Sequence, residues 1–193
     1  MPVSYASGAI PAIHVIHENA DWTAPLFDAL EARGLPYVDW NMAYGDLALS
    51  EAPPQGVFYN RMSASSHTRG NRYAPEVTAG VLAWLEGHGR RVINGRSALN
   101  LEISKLVQYP ALHHAGLEVP ETVAATDAGS LIEAFSRFDG KPVITKHNRA
   151  GKGLGVRLFR SRQGRAEYVN STDFDPSVDG ITLVQRYITS PDQ

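Results

Sequence analysis

Short apolar runs and helix-period patterns take turns along the first half of the chain, the signature of parallel α/β architecture. AIHVIH, from Ala12 to His17, reads as a strand. TAPLFDALEARG, from Thr23 to Gly34, reads as a helix with Thr23 as its cap, Pro25 near its start and Gly34 as its stop. YVDW (Tyr37 to Trp40) and GVFYN (Gly56 to Asn60) read as the second and third strands. YAPEVTAGVLAWLEGHG follows as an amphipathic helix in which Val77, Val81, Leu82 and Leu85 recur at helical spacing, and RVING (Arg91 to Gly95) reads as the fourth strand.

Past Gly95 the pattern changes. Ser97 to Gly116 looks helical with a kink near Pro110, Leu117 to Thr126 reads as a turn and a strand, and Ser130 to Phe138 as a short helix. Three strand-like runs then follow: PVITKH (Pro142 to His147), GVRLFR (Gly155 to Arg160) and GITLVQRYI (Gly180 to Ile188). This half reads as α+β with antiparallel pairing. A boundary near Gly95 to Ser97 gives two expected domains, 1–95 and 96–193.

Composition narrows the functions. The formal net charge is -2 with basic residues spread along the chain, so the electropositive footprint of a general nucleic-acid binder is missing. The chain has 0 cysteines, which excludes disulfides, thiolate metal sites and a cysteine nucleophile, and fits a reducing compartment. No run of about 18 apolar residues occurs and the first residues lack a basic-then-apolar leader, so the expectation is a cytoplasmic protein that does not meet a membrane.

The candidate chemistry lies in KHNRAGKGLGVRLF, Lys146 to Phe159, with Gly151, Gly153 and Gly155 at alternate positions and Lys146 and Lys152 nearby. A dinucleotide fingerprint or a phosphate loop of the Walker kind needs a helix after its glycines. GVRLFR reads as a strand, and Lys152 is followed by Gly153 rather than serine or threonine. What remains is strand, glycine loop, strand. Such a hairpin is either a plain turn or a flap whose backbone N–H groups cover a nucleotide's phosphates, a device of kinases and of ATP-grasp enzymes. Lys146 at the end of the preceding strand and Lys105 in the earlier helix favour the flap.

The order SALNLEISK, LHHAGLEVPETVAAT, GKPVITKHNRAGKGLGV, LVQRYI resembles the ATP-grasp superfamily, in particular its RimK-type and glutathione-synthetase-like carboxylate–amine ligases. The resemblance runs from Asn94 to Ile188, and the α/β unit before it is similar to the pre-ATP-grasp domain of such enzymes. It implies an ATP-dependent ligase, an amide or peptide bond formed through an acyl phosphate, small-molecule or peptide carboxylate and amine substrates, and a role for Mg²⁺. By the same resemblance Lys105 and Lys146 bind the nucleotide, Lys146 as the catalytic cation near the phosphates. Gly151, Lys152, Gly153, Gly155 and Val156 form the flap, and Gln185, Arg186, Tyr187 and Ile188 the hinge beside adenine. Ser104 stands where the family more often has aspartate before the first lysine, and Arg186 where it often has glutamate.

The resemblance also implies metal ligands on strands beyond the hinge. The expectation is therefore no metal site within the 193 residues, an ATP-grasp lobe incomplete at its C-terminus, and either a truncated or a naturally shortened chain. STDFDPSVDG (Ser171 to Gly180) lacks the spacing and terminal glutamate of a calcium loop and reads as a solvated loop. NRMSASSHTRGNRY, Asn60 to Tyr73, follows the third strand, where open parallel sheets bind ligands. Arg61, His67 and Arg69 in it are candidates for holding a substrate carboxylate, beside the plainer reading of a solvated surface loop. Neither His14 with His17 nor His113 with His114 matches a zinc spacing, so both pairs read as structural or surface histidines. Ser63, Ser65 and Ser66 lack a nucleophile elbow. A nucleotide-binding module without catalysis stays open beside the ligase, as does assembly into a homo-oligomer; a dehydrogenase is disfavoured because no helix follows the glycines.

Overall fold

The computed structural model describes residues 11–189, which fall into two compact units, one up to Leu99 and the other from Asn100 onward. In the first, the strands β1 (Ile13–His17), β2 (Tyr37–Asn41), β3 (Val57–Asn60) and β4 (Arg91–Ile93) form a parallel sheet of order β2-β1-β3-β4. Central β1 is buried from His14 to His17, as expected of a strand covered on both faces. Val15, Ile16 and Phe58 join Leu82 and Leu85 of helix α2 (Ala74–Gly87) in the core. Val77, although in phase with them, is 49% exposed.

Helix α1 spans Ala20–Glu31 and begins earlier than its apolar pattern suggests. Its cap is Asn19, whose Oδ1 accepts the Trp22 N–H at 3.1 Å, and not Thr23. The Thr23 hydroxyl instead donates to the Asn19 carbonyl at 2.8 Å from inside the helix. Pro25 lies mid-helix, not in the first turn.

Both strand histidines are structural. The buried His17 donates from Nε2 to Asp39 Oδ1 at 2.6 Å and accepts the Asn19 N–H on Nδ1 at 3.2 Å, which ties β1 to β2 and to the cap of α1. His14 stacks on Phe58 at 4.4 Å between ring centroids, and its Nε2 donates to the Gln55 carbonyl at 3.2 Å. Its Nδ1 is buried without a hydrogen-bond partner. Burial holds the His14 pKa below the ordinary 6.5, outweighing the bond to Gln55. The unfolded chain therefore takes up this proton first as pH falls, so stability is full above the unfolded value and declines as pH drops below about 6.5. His14→Phe is expected to flatten that decline in urea midpoints compared at pH 7.5 and 5.5.

The second unit pairs β5 (Thr122–Ala125), β6 (Val143–His147), β7 (Arg157–Phe159) and β8 (Thr182–Arg186) as an antiparallel sheet of order β5-β8-β6-β7. One face packs on α5 (Ala128–Ser136) and α6 (Gln163–Val169) around Ala125, Leu131, Phe135, Phe138, Val143, Phe159, Tyr168 and Val184. The α6 helix has no counterpart among the sequence expectations, and Arg165 within it is buried, donating to the Phe135 and Lys141 carbonyls.

The helical stretch before the sheet breaks at Ser104 and not at Pro110. It forms α3 (Arg96–Ile103) and α4 (Lys105–His114), with Pro110 inside α4. Ser104 is extended (φ -140, ψ 112) and its Oγ accepts the Val107 N–H, so its side chain caps a new helix and stops the old one. Among the described residues no helix is long and apolar enough to cross a membrane.

Candidate functional site

Alternation along β6 sorts its side chains onto two faces: Val143, Thr145 and His147 are buried, while Ile144 and Lys146 are half-buried. Because Lys146 lies opposite Leu183 and Ile144 opposite both Gln185 and Leu158, these residues share the sheet face turned away from α5 and α6. Lys146 is the cation of that face. The antiparallel pairing of β6 and β7 around the glycines confirms strand, loop, strand, and no helix follows the loop directly.

The loop is built on unusual backbone. Lys152, Gly153 and Gly155 have φ of 55, 77 and 71, and Gly151 through Leu154 are exposed. Gly155 is irreplaceable by geometry: a Cβ there would lie 2.0 Å from the His147 imidazole. The His147 Nε2 donates to the Asp175 carbonyl at 2.7 Å and its Nδ1 is buried without a hydrogen-bond partner. Val156 lies in the loop rather than the strand, at 47% exposure.

Lys105 opens α4 directly behind β6. Its ammonium donates to the carbonyls of His147, Asn148 and Ala150 at 3.1, 3.2 and 2.8 Å. Burial depresses its pKa, the neighbouring Lys146 charge pushes the same way, and Asp179 and Glu102 oppose both. The two lysines thus sense each other across the exit of β6.

Sequence reasoning missed the network around them. Asn148 is buried; its Oδ1 accepts the Leu106 N–H at 2.7 Å and its Nδ2 donates to Asp179 Oδ2 at 2.7 Å. The Ser177 Oγ accepts the Arg149 N–H at 3.2 Å. The segment Ser171 to Gly180 is a largely exposed loop, as expected, that also holds residues 147–149 through Asp175, Ser177 and Asp179. Nothing in its turn-like composition shows that second role.

Gln185 is buried and donates from Nε2 to Thr122 Oγ1 at 2.9 Å. The Arg186 N–H is taken by the Glu121 carbonyl at 2.9 Å and that of Tyr187 by Pro142 at 3.0 Å. Arg186 can therefore offer a base edge its carbonyl and not its N–H. Ile188 follows at 59% exposure.

The segment after β3 belongs to the first unit and is more ordered than a solvated loop, with Met62, Ala64 and Ser66 buried. Arg69 is committed to the buried Glu18, donating from Nη2 and, at 3.1 Å, from Nε, while Asn71 Nδ2 donates to the same carboxylate at 3.1 Å. Arg61 reaches the Trp22 carbonyl at 3.4 Å, and His67 Nδ1 lies 3.2 Å from the Ala64 carbonyl. Glu18→Gln keeps the shape and removes the charge, so a loss of about 2 kcal/mol is expected in urea unfolding. A cavity of about 720 Å³ opens nearby, lined in part by Trp40, Tyr44, Asp46, Arg72, Tyr73 and Val77, and none of the three candidate residues lines it.

No family model matches the chain. Its sequence is 26% identical over 92 residues to the glutathione biosynthesis bifunctional protein GshAB of Listeria innocua, a match covering 48% of this chain and 12% of that protein. The fold is similar to that of a RimK domain ATP-grasp protein from Sphaerobacter thermophilus, with TM-score 0.64, 21% identity, and coverage of 93% of this chain and 65% of the other. It is also similar to the ATP-grasp ligase PsnB, solved with minimal precursor, Mg and ADP, with TM-score 0.54, 19% identity, and coverage of 96% and 66%. The chain thus has the fold of the ATP-grasp carboxylate–amine ligases, a parallel α/β unit followed by an antiparallel lobe. It spans about an eighth of the length of the curated relatives it matches and slightly under two thirds of those solved chains.

Proposed function

We propose that this chain binds ATP and serves a carboxylate–amine ligase reaction of the ATP-grasp type, forming an amide or peptide bond. The observation that carries the reading is Lys146, a half-buried cation on the sheet face turned away from α5 and α6, at the foot of an exposed glycine hairpin and within electrostatic reach of Lys105. A carboxylate is a poor electrophile. In the proposed reaction its oxygen takes the γ-phosphoryl group of ATP, ADP leaves, and the amine nitrogen then attacks the acyl carbon and expels phosphate.

Lys146 would hold the phosphates and offset charge as it grows on the leaving group. The N–H groups of Gly151, Lys152, Gly153 and Gly155 would cover the same phosphates and exclude water that would hydrolyse the acyl phosphate, those of Leu154 and Val156 being taken by the Gly151 and Gly153 carbonyls. Beside them, the Arg186 carbonyl and the backbone of Ile188 would meet the adenine edge. The described residues contain no group of three or more metal-ligating side chains, so they do not fit a magnesium cage by themselves. Their contribution is the lysine charge and the flap.

The substrate class we favour is an amino acid or small amine joined to an acidic metabolite or a peptide, supported by the names of the relatives, one a glutathione biosynthesis protein and another a ligase solved with a peptide precursor. A cytoplasmic location fits the cysteine-free sequence. ADP release measured over a panel of amino acids and carboxylates tests the reading. Release that depends on both an acid and an amine, and that Lys146→Ala abolishes, is expected. The alternative is a nucleotide-binding module without catalysis. Binding of ATP with no ADP release for any pair would select it.

A further inference from the structure

We infer that Lys105 is a positioning residue for the glycine flap, fixing its first stem through the backbone carbonyls of residues 147–150 before any nucleotide arrives. An ammonium has three N–H donors. The carbonyls of His147, Asn148 and Ala150, at 3.1, 3.2 and 2.8 Å, fill all of them. No donor is left over for an incoming phosphate oxygen unless a carbonyl is given up.

The position of Lys105 points the same way. It is the first residue of α4, where the helix dipole disfavours a cation. Carbonyl oxygens are the groups that offset such a charge, and here they come from the segment leading out of β6. The attachment is reciprocal: the Lys105 N–H donates to the Asn148 carbonyl at 3.4 Å, and the Asn148 side chain accepts the Leu106 N–H at 2.7 Å. The start of α4 and the stem of the flap thus hold each other at both backbone and side-chain level. Lys146 leaves the strand one residue before the clamped segment, so the clamp also sets where that cation points.

The functional meaning of this clamp rests on the proposed nucleotide site, whereas its geometry does not. Both can therefore be tested apart, by measuring backbone amide exchange in the 193-residue chain without nucleotide. Lys105→Met is expected to raise exchange at the stem amides of Asn148 and Arg149, which donate to the Ile181 carbonyl and the Ser177 Oγ, at least tenfold and to leave the β1 to β4 sheet unchanged. Lys105→Arg, which keeps donors and charge, is expected to recover part of the protection, and Lys146→Met to leave it as in the parent. Exchange in Lys105→Met within twofold of the parent would overturn the inference.

Should Lys105→Met fail to fold, the unmutated chain carries a second test. With ¹⁵N-labelled lysine, the Lys105 ammonium is expected to exchange slowly enough at neutral pH to give a resolved NMR signal in the absence of nucleotide. Its exchange at the rate of a solvent-exposed lysine would equally overturn the clamp. A protected ammonium in a chain that binds no ATP would sink the proposed function and leave the clamp standing.

Discussion

Lys146→Ala is expected to weaken ATP binding by about a hundredfold, close to the 2.8 kcal/mol that loss of a charge-assisted phosphate contact costs. Lys146 sits on the face of β6 away from the core, opposite Leu183, so truncation removes a cation without opening a cavity among Val143, Phe159 and Val184. Urea unfolding should therefore stay within about 0.5 kcal/mol of the parent, as for substitutions away from packed features. Calorimetric titration with ATP checks the first half and the unfolding curve the second. Affinity within threefold of the parent would move the nucleotide site elsewhere. The same substitution removes the like charge that depresses Lys105, so the Lys105 pKa should rise, a shift measurable by NMR.

Gly155→Val should cost about 3 to 5 kcal/mol of stability. It adds left-handed backbone strain at φ 71 to a collision with the His147 ring 2.0 Å from the new Cβ. The ring has nowhere to retreat, being buried and bonded through Nε2 to the Asp175 carbonyl. His147→Ala in the Gly155→Val background should recover the steric part and leave about 1 to 2 kcal/mol of backbone strain. Gly153→Val separates the two contributions further. Gly153 is also left-handed, but open space surrounds its Cβ direction, so only the strain should appear. Equal losses at both glycines would mean that the His147 contact has no energetic weight.

The elements that were legible in the sequence are those whose local signals agree with their surroundings. β1 is legible through Ile13, Val15 and Ile16, and the glycine hairpin because no capping residue follows Gly155. The errors sit where one side chain overrides a pattern. Asn19 caps α1 from outside the apolar repeat, and Ser104 stops α3 where Pro110 looked the stronger breaker. Lys105 and Lys146 were found through their order along the chain, yet nothing in that order shows an ammonium enclosed by carbonyls. Asn148, Ser177 and Asp179 look like loop residues because buried polar networks have no period. Their pairing is defined only once residues 30 positions apart come together.

The strand order β5-β8-β6-β7 carries a consequence for how the second unit is made. Strand β8 lies between β5 and the hairpin, so the hairpin can form locally while β5 waits about sixty residues for its neighbour among the described residues. Until Thr182 to Arg186 emerge, β5 and β6 both present raw edges, and the lysine has no sheet face to stand on. Such non-local closure is slow compared with hairpin formation. The surface proposed to receive the nucleotide thus comes into being after the hairpin beside it.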